Sequence, residues 1–216
     1  MRKNAVIFDM DGVVSDTQKF HAEVESLILR QHGIEMSPEA ITKRYSGVAD
    51  DVMFMEIFEE HAVNSHPPID EIVVDKWNKM ATVAKGRITA IPHVVDLIRI
   101  LKKEGFRLAI ASASTTIFIQ EVLDELDLNE FFDTTVSAQE VKHGKPAPDI
   151  FLLAAERLGV EPEACIVIED GRSGMIGAKA AGIPCIGLVE DTSEEYPATV
   201  VVRSLDQITP DLIHSL

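Results

Sequence analysis

Cysteine, aromatic residues and positive charge are all scarce in this chain. Two cysteines stand among 216 residues, too few for a disulfide framework. Neither belongs to a CxxC pair or to a Cys/His group at zinc spacing. Both begin apolar runs, Cys165–Ile168 and Cys185–Leu188, and read as reduced core thiols of a cytoplasmic protein. Lysine and arginine number 20 against 36 acidic residues, a formal net charge of −16. No basic face is available, so nucleic acid and anionic membranes are not expected partners. No apolar run approaches the ~20 residues of a membrane helix. The first apolar run is cut by Asp9 and Asp11, which argues against a signal peptide. Internal repeats and low-complexity tracts are absent as well. What is present is 46% hydrophobic and 26% charged residues, the balance of a globular protein. A chain of this length buries roughly 70–75% of its unfolded surface and needs no staples.

Strands and helices alternate through most of the chain. Residues 4–8 form a continuous apolar run, as expected of a parallel strand covered on both faces. Phe106–Ala111, Cys165–Ile168 and Pro184–Leu188 have the same character, and Thr134–Val136 and Thr199–Val202 are shorter candidates. Helical patterns separate them at His93–Glu104, Thr115–Leu126, Pro148–Leu158 and Ser173–Ala181. The last carries Gly174, Gly177, Ala178 and Ala181, small residues that let a helix approach a sheet closely. This alternation predicts βαβ units and a parallel sheet.

Residues 16–85 break the rhythm with helices alone. Thr17–Gln31 places Phe20, Val24, Leu27 and Ile28 on one stripe, and Ser37-Pro38 is an N-cap followed by a first-turn proline. Val52–His61 and Ile69–Ala84 add two helices, with Met53, Ile57, Ile72, Val73, Trp77 and Met80 as expected core. The Met- and Phe-rich stretch Met53, Phe54, Met55 and Phe58 reads as that region's own core. The expected organisation is a core domain of residues 1–15 and 86–216, with a helical domain of residues 16–85 inserted after the first strand.

The chemistry is concentrated at strand ends. Asp9 and Asp11 stand where the first strand runs out, at the sheet edge where open α/β folds place ligands. Glu169 and Asp170 end a second strand. Four carboxylates converging there would repel one another unless a hard cation relieved them, and oxygen donors point to Mg²⁺. An EF-hand is excluded, since Val13, Val14 and Phe20 fall on its ligand and turn positions. Ser112 ends a third strand, where a hydroxyl and the following amides can hold phosphate oxygens. Ser114 and Thr115 lie beside it and read as helix caps. Lys145, ahead of Pro146, would set one cation beside the acids, whereas Lys142 and His143 read as ordinary surface residues.

Asp9-Met10-Asp11-Gly12, then Ser112, then Lys145-Pro146, then Glu169-Asp170 resemble the four ordered motifs of the haloacid dehalogenase superfamily. The helical insertion is similar to the small cap of its β-phosphoglucomutase and phosphoglycolate phosphatase subgroup. The resemblance implies a Rossmann-like three-layer core with a parallel sheet, carrying an inserted all-helical cap. It implies Asp9 as nucleophile and Asp11 as general acid and base, with Lys145 as a catalytic cation. Mg²⁺ would be held by Asp9, the Asp11 carbonyl, Glu169 and Asp170. Gly12, Ser112, the Ala113 amide, Lys145 and His21 would bind the substrate and its phosphate.

The implied function is hydrolysis of a small phosphorylated metabolite, such as a sugar phosphate, by a cytoplasmic monomer or weak homo-oligomer. A phosphomutase is the alternative, and a catalytically silent metabolite-binding protein is a third reading. Mutase-like caps carry a Lys-Gly-Val-Ser-Arg type loop, where this chain has Ser46-Gly47-Val48-Ala49-Asp50. An acid at Asp50 would repel a second phosphate, although Lys43 and Arg44 lie nearby. Specificity is expected to be read around Tyr45–Asp51 and by Trp77. Motif four usually continues with serine or threonine, and Gly171 stands there instead.

Overall fold

The computed structural model describes residues 3–45 and 48–216. The chain divides into two compact units, Met1–Asp16 with Thr89–Leu216, and Thr17–Ile88.

The larger unit is built on six parallel strands in the order β3-β2-β1-β4-β5-β6. The strands are β1 (Ala5–Phe8), β2 (Arg107–Ser112), β3 (Thr134–Ser137), β4 (Cys165–Glu169), β5 (Cys185–Leu188) and β6 (Val200–Val202). Every residue of β1 is fully buried, which explains its unbroken apolar sequence. Burial of Val6, Ile7 and Phe8 contributes about 1.5–3 kcal/mol each. Alternate residues face opposite sides of the sheet. Ala5 and Ile7 share a core with Ala109, Val167, Phe151, Ala154 and Met175, while Phe8 meets Phe132 edge-on at 5.8 Å. Cys165 and Cys185 are buried free thiols in this sheet, and burial pushes the Cys165 thiol up to about 11.

Helices follow the strands: α5 (Val94–Lys103), α6 (Thr116–Glu125), α7 (Asp149–Leu158), α8 (Arg172–Ala180) and α9 (Pro210–Ser215). The last was not anticipated, although Thr209 caps it and Pro210 opens it, the same signature as Ser37-Pro38. Strand order reverses at β1, whose neighbours are β2 on one side and β4 on the other. Ligands of open parallel sheets bind at such a switch point, beyond the carboxyl ends of the strands.

The second unit contains α1 (Gln18–Gln31), α2 (Pro38–Tyr45), α3 (Asp50–Glu60) and α4 (Ile69–Ala84), with no strand among its described residues. Phe20, Val24, Ile28, Phe54, Phe58 and Met80 form its buried face. Three details differ from expectation. Leu27 and Met55 are exposed, and Val73 and Trp77 are half-buried. The buried stripe of α4 runs through Ile72, Lys76 and Met80, at the four-residue spacing of one helix face. Among the described residues, no helix is long and apolar enough to cross a membrane.

Candidate active site

The carboxyl ends of β1, β2 and β4 bring the motif residues of the larger unit together. Register pairs Phe8 with Ile168 on β4 and with Ile110 on β2, and the Asp9 amide donates to the Ile168 carbonyl at 2.9 Å. Asp9 therefore emerges level with Glu169 on one side and, on the other, one residue short of Ser112. The chain then turns sharply: the amides of Val13, Val14 and Ser15 all donate to the Met10 carbonyl.

Asp9, Glu169 and Asp170 each offer a carboxylate oxygen within 4.8 Å of the others. The Lys145 ammonium donates to Asp9 Oδ1 at 2.5 Å and to Glu169 Oε1 at 2.6 Å, and lies over the Phe151 ring at 5.2 Å. Glu169 Oε2 accepts from the Gly171 amide at 2.7 Å. Burial, then repulsion from Glu169 and Asp170, hold the Asp9 carboxyl well above the usual range against the pull of Lys145. Burial and Glu169 push Asp170 up to about 8. Burial opposes the Lys145 charge, but Asp9 and Glu169 outweigh it and hold the ammonium above its ordinary value.

Three acids facing one lysine leave two formal negative charges uncompensated. An all-oxygen donor set with that surplus fits a hard divalent cation, Mg²⁺ before zinc. Gly12 is shaped by the same group. Its φ is +92°, and a Cβ there would lie 2.2 Å from Asp170 Oδ2. Its amide is engaged with the Ser15 carbonyl at 2.8 Å, so Gly12 makes room for Asp170 and does not offer that N–H to a phosphate.

Asp11 stands outside the metal-sized group of three, although its charge still repels Asp9 and Asp170. Its Oδ2 accepts from Ser112 Oγ at 3.1 Å and from Ser114 Oγ at 2.7 Å. Ser114, expected as a helix cap, is fully buried and bound to Asp11, and the cap is Thr115, which accepts from the Phe118 amide. Ser112 Oγ also accepts from the Ser114 amide at 3.0 Å, and exposed Ala113 lies between them.

His21 lies in the helical unit, its ring edge-on to Trp77 at 5.4 Å. Ser46 and Gly47 lie outside the described residues. Asp50 is not a bare acid: Lys76, 1% exposed, binds both Asp50 and Glu25, the latter at 2.7 Å. The trio keeps one net negative charge. Arg44 is committed to Glu60 at 2.7 Å. Lys76 was missed because a helical lysine reads as solvent-facing. The signal was its spacing from Ile72 and Met80.

The family model for haloacid dehalogenase-like hydrolases matches residues 3–182. A phosphorylated carbohydrates phosphatase of Thermotoga maritima is 32% identical over 209 residues, covering 97% of this chain and 95% of that one. A fructose-1-phosphate phosphatase of Escherichia coli is 31% identical over 186 residues, covering 86% and 96%. The crystal structure of a β-phosphoglucomutase from Clostridium difficile has a TM-score of 0.86 at 26% identity, covering 99% and 96%. With a matching model over most of its length and relatives matched almost end to end, the chain belongs to the haloacid dehalogenase-like hydrolase family and is an enzyme of the phosphatase type.

Proposed function

We propose that the enzyme is a Mg²⁺-dependent phosphatase of a small phosphorylated carbohydrate, working through an aspartyl-phosphate. The observation that carries this reading is the separation of Asp9 from Asp11. Asp9 sits with the acids and Lys145, as a nucleophile must, while Asp11 is held apart by hydroxyls. Lys145 occupies Asp9 Oδ1, and among the described residues no donor takes Oδ2. Oδ2 attacks phosphorus, and the ester P–O bond breaks as Asp11 gives its proton to the leaving oxygen. Asp11 then takes a proton from water, which attacks phosphorus and frees Asp9. Ser112 and the Ala113 amide bind phosphate oxygens. Asp9, the Asp11 carbonyl, Asp170 and Glu169 would hold Mg²⁺, which supplies charge stabilisation to the transferring group.

The carbohydrate class rests on the named substrates of the Thermotoga and Escherichia relatives. A phosphate-ester panel with Mg²⁺ tests it: sugar monophosphates are hydrolysed, and Asp9→Asn abolishes turnover with the fold intact. Near-normal activity of that variant would contradict the mechanism.

The likeness to β-phosphoglucomutase keeps a mutase as the second reading. Against it stands the net negative charge of Glu25, Asp50 and Lys76, at the position where mutase-like loops carry arginine. Conversion of a hexose 1-phosphate into its 6-phosphate, in place of free phosphate, would favour it.

A further inference from the structure

We infer that Ser114 is a positioning residue of the reaction, acting through Asp11. This rests on the reading of Asp11 as general acid and base. Two hydroxyls meet Asp11 Oδ2, but they are not equivalent. Ser112 stands at the end of β2, where it is also the hydroxyl proposed to bind the transferring phosphate. Once Ser112 turns to a phosphate oxygen, Ser114 keeps its contact with Asp11 Oδ2, which is already the shorter, 2.7 Å against 3.1 Å.

Ser114 is itself immobilised on every polar atom. Its amide donates to Ser112 Oγ at 3.0 Å, and its carbonyl accepts from Ser137 Oγ at 2.6 Å. Ser137 is placed by the sheet, since the β2–β3 register makes it the partner of Ser112. All three serines are fully buried. Buried polar groups without partners are costly, so this set of hydroxyls has one satisfied arrangement and few alternatives.

The consequence is chemical. A hydroxyl donating to Oδ2 assigns that oxygen as an acceptor, so the proton for the leaving group rides on Oδ1. It also fixes the rotation of the carboxyl plane, so that Oδ1 is presented in one direction. Proximity effects of this kind are lost steeply when a group is free to turn. Thr115, not Ser114, caps α6, so the hydroxyl of Ser114 is not needed to start the helix.

Leaving-group dependence provides the test. p-Nitrophenyl phosphate releases an oxygen that needs no proton, whereas glycerol 2-phosphate releases an alkoxide that does. Ser114→Ala should lower kcat/KM for glycerol 2-phosphate about tenfold or more, and that for p-nitrophenyl phosphate less than threefold. The variant is then repeated in an Asp11→Asn background, where it should have no further effect, because a positioning residue is silent once its target is gone. Circular dichroism confirms the fold of each variant. Equal losses on both esters, or a loss that persists in Asp11→Asn, would overturn the proposal. Activity retained by Asp9→Asn would instead refute the underlying phosphatase mechanism, whatever Ser114 does.

Discussion

Glu169 occupies the space that a side chain on Gly174 would fill. A Cβ on Gly174 would lie 1.7 Å from Glu169 Oε1 and 2.1 Å from its Cδ. The glycine therefore serves the carboxylate that holds Lys145, one turn into α8, and not only the approach of a helix to the sheet. Gly177, one turn on, is the packing glycine: its Cβ would meet the Ala147 carbonyl and the Phe151 ring at 3.1 Å.

Gly174→Ala should accordingly act on the site. Glu169 is buried, 3% exposed. Displacing it removes one of the two acids that hold Lys145. We expect kcat to fall at least about tenfold, with a stability loss of about 1–3 kcal/mol from overpacking. Steady-state kinetics with a thermal melt would separate the two effects. Unchanged kcat in a stable variant would show that Glu169 does not position Lys145.

The helical unit contains a buried lysine with a structural consequence. Burial opposes the Lys76 charge, but Asp50 and Glu25 outweigh it and raise the ammonium above its ordinary value. Lys76→Met would strand two carboxylates around an apolar side chain. Breaking a buried pair in this way costs about 3–5 kcal/mol. Denaturant titration of the variant should show a loss of that size, and a loss below 1 kcal/mol would mean that water reaches the acids freely.

Metal and pH should be linked with a defined sign. Asp170 stands at about 8 in the folded protein against 3.8 as its ordinary value, and Asp9 is raised in the same direction. Between those limits the folded state keeps a proton that the unfolded chain has released, so raising the pH destabilises the metal-free protein. The proposed Mg²⁺ would bind the ionised carboxylates, and at a hundredfold excess over its Kd it would add about 2.7 kcal/mol. Thermal midpoints in EDTA should fall from pH 5 to pH 8, and the gain from Mg²⁺ should be larger at pH 8. Asp170→Asn should flatten both trends. A metal-free midpoint that does not change with pH would contradict the assigned charges.

The sheet and the acids were readable because each leaves a one-dimensional trace. A strand buried on both faces is an unbroken apolar run, as in Ala5–Phe8, and a carboxylate directly after it has few structural reasons to be there. Ser114 and Lys76 leave no such trace. A serine before a helix looks the same whether it caps that helix or reaches back 103 residues to Asp11. A lysine on an amphipathic helix looks solvated until its acid partners, from two other helices, are brought beside it. Both depend on partners distant in sequence, which periodicity cannot report. The hydroxyls that hold the Asp11 carboxylate are equally untraced, since they come from β2 and the residues after it.

The central claim is that Asp9 becomes covalently phosphorylated during turnover. Rapid acid quench of the enzyme with a ³²P-labelled sugar phosphate and Mg²⁺, followed by peptide mapping, measures this directly. Transient label is expected on the peptide containing Asp9, chased into inorganic phosphate, and none in Asp9→Asn. Phosphate release at the normal rate with no label on Asp9 at any time would contradict it.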